Sequence, residues 1–154
     1  MKNKLHPGMK WSYRLASYFI FIILVPIFSV PAFFLFSGFF WAFFLFYIVL
    51  ILILTEVYVK MAYNRWFYEF DDQGFKSECG VLFKRYSNVP YERIQNVNVT
   101  RGIIARMLGF STVQIQTAGY SGARGAEGRI PAVDFKYAEE IRDFLMKKIT
   151  SKRK

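Results

Sequence analysis

At 154 residues the chain has the length of one domain, yet it is 54% hydrophobic, 20% aromatic and carries a net charge of +10. A soluble domain of this size is not normally so apolar and so basic at once, which argues against that class. One cysteine, Cys79, and one histidine, His6, rule out an intrachain disulfide and a Cys/His zinc site.

The two properties separate along the chain. Residues 1–14 form a basic stretch with Lys2, Lys4, Lys10 and Arg14, predicted to be cytoplasmic, in which His6 reads as an exposed, incidental side chain. From Leu15 to Thr55 there is no charged residue. A single helix of that length would be about 60 Å long, twice the roughly 30 Å of bilayer hydrocarbon, and tilt does not absorb such a mismatch. A reversal at Ser37-Gly38, where glycine supplies the backbone freedom, leaves two lengths that fit, about 15–36 and 39–59. The first contains Pro26 and Pro31, tolerated in membranes when neighbouring groups compensate. The second is a cleaner run of Phe, Leu and Ile, with Glu56 and Lys60 near its end at an i,i+4 spacing. A cleaved signal peptide is disfavoured, because the apolar run continues past any cleavage site.

Cations lie before the first span and after the second, at Lys60 and Arg65, and none lies at the tip. The positive-inside rule then predicts a multi-pass plasma-membrane anchor over residues 15–60 with both termini cytoplasmic. Trp11 and Tyr13 on one flank, with Tyr63 and Trp66 on the other, predict an aromatic belt at that interface.

Residues 61–154 predict an α+β cytoplasmic domain with a basic tail. WFYEF (66–70) precedes the turn Asp71-Asp72-Gln73-Gly74, and FKSECGVLF (75–83) follows, alternating Phe75, Cys79, Val81 and Phe83 onto one face. Cys79 is therefore expected to be a small core residue. NVNVT (96–100) and TVQIQT (112–117) alternate in the same way. Between them RGIIARMLG (101–109) shifts to helical spacing and closes at Gly109, predicting one or two helical turns. A final helix spans about Phe135 to Ile149, capped by Asp134, with Ala138, Ile141, Leu145 and Ile149 as its apolar stripe.

The stretch VPYERIQNVNVTRGIIARMLGFSTVQIQTAG (89–119), then RIPAV (129–133) and AEEIRDFL (138–145), resembles the bacterial pleckstrin-homology-like domain family of YdbS-like membrane proteins. The Pro-Tyr-Glu-Arg-Ile entry at 90–94, the Arg-Met-Leu-Gly turn at 106–109 and the Thr-Ala-Gly end at 117–119 carry the likeness, which covers about 66–149. It implies a small PH-like antiparallel β-barrel or sandwich capped by a C-terminal helix, held at the inner face of a prokaryotic membrane, without catalytic activity. Lipid-binding PH domains place basic residues in the turn between their first two strands. Here that turn is Asp71-Asp72-Gln73-Gly74, which repels a phosphorylated headgroup.

No histidine or paired buried acid supplies hydrolytic machinery, and no cofactor or metal is expected. The Gly-rich AGYSGARGAEGR (118–129) lacks the Lys-Ser/Thr and helix start of a phosphate loop, so a strand connection is expected, with an anion or partner contact through Arg124 and Arg129 as the alternative. Residues 61–154 hold 16 Lys or Arg against 10 Asp or Glu. Of these cations, Arg101, Arg106, Arg124, Arg129, Lys147, Lys148, Lys152, Arg153 and Lys154 are the candidate contacts to lipid or partner. Nucleic acid is not expected, because no recognised binding signature accompanies the charge. The reading preferred is an interaction or scaffold module for a protein partner or a second copy. The alternatives are a sensor of anionic membrane lipid, and an accessory subunit of a transport or envelope-stress complex using Pro26, Pro31 and Glu56.

Overall fold

Two long helices and two small antiparallel sheets carry the chain in the computed structural model, which describes residues 3–35, 38–117 and 127–152. Ser37, Arg124, Arg153, Lys154 and the side chain of Lys152 lie outside the described residues. Helices α1 (Met9–Leu35) and α2 (Phe40–Asn64) are each long and apolar enough to cross a membrane. They run antiparallel: Phe33 meets Phe40 edge-on at 5.3 Å at one end, and Tyr13 meets Tyr58 at 6.3 Å at the other. Ile51, Thr55, Val59 and Ala62, three or four residues apart, form the one buried stripe of α2. Gly38 and Phe39 lie in the turn, and α1 continues through Pro26 and Pro31.

The first sheet has the order β1 (Asn3–Lys4), β2 (Phe67–Phe70), β3 (Gly74–Cys79), β4 (Arg85–Pro90), all antiparallel. Strand β1 was not legible, because Asn-Lys carries no apolar alternation; it forms where Leu5 enters the core and β2 has a vacant edge. His6 is half-buried rather than exposed and incidental. Its backbone N–H donates to the Ala132 carbonyl at 2.9 Å, its Nδ1 accepts from the Gly8 N–H at 3.1 Å, and its ring lies 6.1 Å from that of Phe110. The segment read as a basic flank is thus pinned to both sheets.

The expected alternation through Phe83 stops at Gly80, whose φ of +119° no side chain tolerates easily and whose Cβ would collide with the Phe83 carbonyl. Phe75 is fully buried and Cys79 only half-buried, while Phe83 turns out to solvent. Strand β4 was missed for a related reason: Arg-Tyr-Ser-Asn lacks an apolar face of its own and is held by pairing with β3.

The second sheet is β5 (Ile94–Thr100), β6 (Phe110–Thr117), β7 (Gly128–Asp134). Helix α3 (Ile103–Met107) links β5 to β6 as expected and ends at Gly109, φ +77°. Helix α4 (Phe135–Lys152) begins where the Asp134 carboxylate accepts the Lys136 N–H at 3.0 Å. Its Ala138, Ile141, Leu145 and Ile149 are buried against β5, β6 and β7. The sheets share one core as a sandwich; pairing that would close a barrel does not occur among the described residues.

At the β2–β3 turn the Lys76 ammonium sits 2.6 Å from the Asp71 carboxylate. That contact, with the N–H groups of Gln73 and Asp72, holds the Asp71 carboxyl below its ordinary range. A folded pKa below the unfolded one stabilises the domain above about pH 4, and the contribution is lost as pH falls through the folded value. Asp71→Asn is therefore expected to lower stability at pH 7 and to flatten its acid dependence below pH 4 in thermal melts. The difference should shrink at high salt, because the pair is partly exposed.

Candidate functional site

Strand register explains how a polar site forms inside a sandwich. Ser77 pairs with Ser87 and Cys79 with Arg85, two and four residues on from the Phe75–Val89 pair. The same inner face therefore runs from a fully buried Phe75 and Val89, through two serines, to a cysteine and an arginine. The polar end lies beside the two chain crossings into the helices, and there the sheets part to leave a cleft of about 500 Å³. Met9 and Tyr13 of α1 and Trp66 of the α2–β2 link border it above; Gln114 and Arg129, register partners in β6 and β7, line it from the second sheet.

Arg85 and Arg129 are the cations of this cleft, and both are exposed. Among the described residues neither meets a carboxylate in an ion pair. Glu127 also lines the cleft, but its carboxylate accepts from the Thr117 hydroxyl and its carbonyl accepts from Ser87 Oγ at 3.1 Å. Burial pushes the Cys79 thiol up, so it stays protonated at neutral pH and adds no negative charge.

Beside the cleft, the β3–β4 connection forms a finger. Beyond the Phe67–Glu78 pair, β3 runs back past the start of β2, and Arg65 Nη1 donates to the Val81 carbonyl at 2.5 Å. Because Arg65 caps α2, the finger lies alongside the end of that helix. Leu82 and Phe83 at its tip are 89% and 88% exposed, and Lys84 and Arg85 follow directly. Helix α3 abuts the other crossing: a Cβ on Gly8 would lie 3.0 Å from the Leu108 carbonyl oxygen.

The cations singled out from sequence do not form one patch. Arg129 enters the cleft. Arg101 stacks over the Phe135 ring at 4.6 Å and reaches the Phe110 carbonyl at 3.4 Å, while Arg106 is exposed on α3. Lys148 lies over Phe144, which packs edge-on against Phe70 and Tyr91 at the end of β2 remote from α2. Lys147, exposed, follows the same end of α4. The acidic Asp71 turn is at that remote end as well, at the opposite end of the sheet from α2. Sequence reasoning missed Leu82, Phe83, Lys84 and Arg85. Their signal, an apolar pair followed by two cations just after Gly80, was absorbed into a strand continued too far.

The profile of the bacterial PH domain family matches residues 16–149. The chain belongs to the bacterial PH domain family. The match takes in most of α1 and all of α2 together with strands β2 to β7, so this bacterial PH domain protein is membrane-associated. It is 29% identical over 91 residues to the UPF0699 transmembrane protein YdbT of Bacillus subtilis (strain 168), covering 59% of this chain. The aligned part spans only 18% of that relative's length. No solved structure matches the chain significantly.

Proposed function

We propose that α1 and α2 span the plasma membrane as a hairpin with both ends cytoplasmic, and that the PH domain works pressed against anionic lipid. The observation that supports this reading is the Arg65–Val81 hydrogen bond, which fixes the Leu82–Phe83 finger beside the end of α2. The apolar run of α2 ends at Val59, and Arg65 follows Lys60 by five residues, about 8 Å of helix. That matches the roughly 6 Å headgroup layer on each side of the hydrocarbon. At this depth an exposed Leu-Phe pair gains by entering the acyl boundary, and Lys84 gains about 1 kcal/mol from anionic lipid. Domain and leaflet form one surface whose engagement depends on lipid charge; no catalytic step is needed.

The lone cysteine makes a direct test practical. In full-length Cys79→Ser protein, an environment-sensitive fluorophore on Phe83→Cys is expected to emit to the blue in nanodiscs containing phosphatidylglycerol. The shift should diminish in pure phosphatidylcholine, at high salt, and with Lys84→Glu. Emission typical of water in every bilayer would sink the proposal.

A second reading is the protein interaction module, and α3 supports it. Ile103 and Met107 are 70% and 82% exposed on a helix whose buried residue is Ala105. A second copy covering them accounts for apolar exposure away from the finger. Cross-linking between copies in membranes should then fall with Met107→Ser and stay unchanged with Phe83→Ser.

A further inference from the structure

We propose that the cleft between the sheets is a binding site for a phosphate-ester anion, gripped between Arg85 and Arg129. Two guanidiniums brought into one cavity repel each other and are stable there with water or an anion between them. The described carboxylates leave that role open: Glu127 is turned to Thr117, and Glu78 is paired with Lys84. Arginine's planar fork matches two phosphate oxygens at once, which a lysine cannot reproduce. Ser77 and Gln114, on opposite sheets, add a hydroxyl and an amide donor across the gap.

The volume, about 500 Å³, suits a glycerophosphate headgroup rather than a bare ion. The border adds direction. Met9 and Tyr13 open the helix that leads into the hairpin, and Trp66 leaves it, so a ligand in the cleft has an apolar and aromatic exit toward the anchor. A phospholipid lies in that direction with its phosphate down and its chains up. This deepens the lipid-apposed reading and, for the lipid source, rests on it; the phosphate chemistry of the cleft does not.

The site is also distinct in mode from the strand-turn recognition of other PH domains, because the β2–β3 turn here carries Asp71 and Asp72 at the far end of the sheet. Selectivity should follow the phosphate's charge and accessibility. Phosphatidylglycerol, anionic and unhindered, is expected to bind better than phosphatidylcholine, whose trimethylammonium would face the two arginines.

The test uses the full chain, purified in detergent, with phosphatidylglycerol and glycerol 3-phosphate as separate probes. Native mass spectrometry is expected to show one phosphatidylglycerol retained per chain. Retention should weaken about tenfold or more in Arg85→Gln and in Arg129→Gln. Arg129→Lys should lie between, and Arg142→Gln, on α4 beside Asp143, should match the wild type. Thermal melts verify that each variant is folded. If glycerol 3-phosphate binds with the same dependence on both arginines and displaces lipid, the source is a soluble phosphate ester, and the anion site stands. If folded Arg85→Gln and Arg129→Gln retain both probes like the wild type, or if neither probe binds the wild type, the proposal is overturned. Failure of the Phe83 fluorophore test with arginine-dependent binding intact would remove the lipid-apposed reading alone.

Discussion

Phe75→Ala is expected to cost about 3–5 kcal/mol and to leave the PH domain close to unfolded at physiological temperature. Phe75 is fully buried and sits where the two sheets meet: its ring lies 5.5 Å from Phe70 on its own sheet and against Gly128 of β7. A Cβ added at Gly128 would stand 3.1 Å from that ring and 3.2 Å from the Ile115 Cβ, so the aromatic fills the space a side chain would take. The two positions should therefore be coupled. Gly128→Ala alone forces the ring or Ile115 to shift by a few tenths of an ångström, at roughly 1–3 kcal/mol. Phe75→Leu removes ring volume at the same spot, and combining it with Gly128→Ala should cost less than the sum of the single changes. Urea unfolding of the full chain in detergent, followed through tryptophan fluorescence, measures all four variants. Additive losses would mean that the ring is not what excludes a side chain from position 128.

How much of this was legible depends on whether an element carries its own pattern. The hairpin was legible because 41 uncharged residues admit few other arrangements, and α4 because Asp134 and the stripe from Ala138 to Ile149 mark both its start and its face. Strands β5 and β6 alternate cleanly. By contrast β1 and β4 exist through their partners: Asn3 and Lys4 are ordered by β2, and the polar Arg85–Asn88 stretch by β3. The cleft was hidden for the same reason. Its arginines are 44 residues apart, on different sheets, and become neighbours only when β7 stacks over β3 and β4. Arg129 stands out in sequence as a cation of the Gly-rich stretch, whereas nothing local marks Arg85, which lies beyond the strand expected over 75–83. Gly80 decided the rest, since a single left-handed residue converts an expected core strand into an exposed finger.

Loss of either partner of the Arg14–Glu56 pair should disturb the protein more than loss of both. Arg14 Nε and Nη2 each lie 2.7 Å from one oxygen of the Glu56 carboxylate, a two-point contact that joins α1 to α2 near their domain-side ends. The pair, with Lys10 and Lys60 lining the same surface pocket, borders the uncharged stretch of both helices. In the proposed membrane placement the paired side chains present no net charge at the edge of the hydrocarbon; alone, either would leave an ion there without a partner. Arg14→Leu and Glu56→Leu should each lower the melting temperature of the chain in nanodiscs and increase protease cleavage between helices and domain. The double apolar variant should recover most of the loss, and the exchanged pair, Arg14→Glu with Glu56→Arg, should recover it by restoring the bond. Trp11 reports the local geometry, because the Arg14 guanidinium stacks 4.9 Å from its ring and its emission should change in Arg14→Leu. The register of α1 against α2 then follows from chemistry at one position, and in the proposed membrane placement that register sets the height at which Arg65 holds the finger. A double variant as unstable as the sum of the singles, or an exchanged pair no better than either, would show that the charges act independently and that packing along Ile51, Thr55, Val59 and Ala62 alone sets that height.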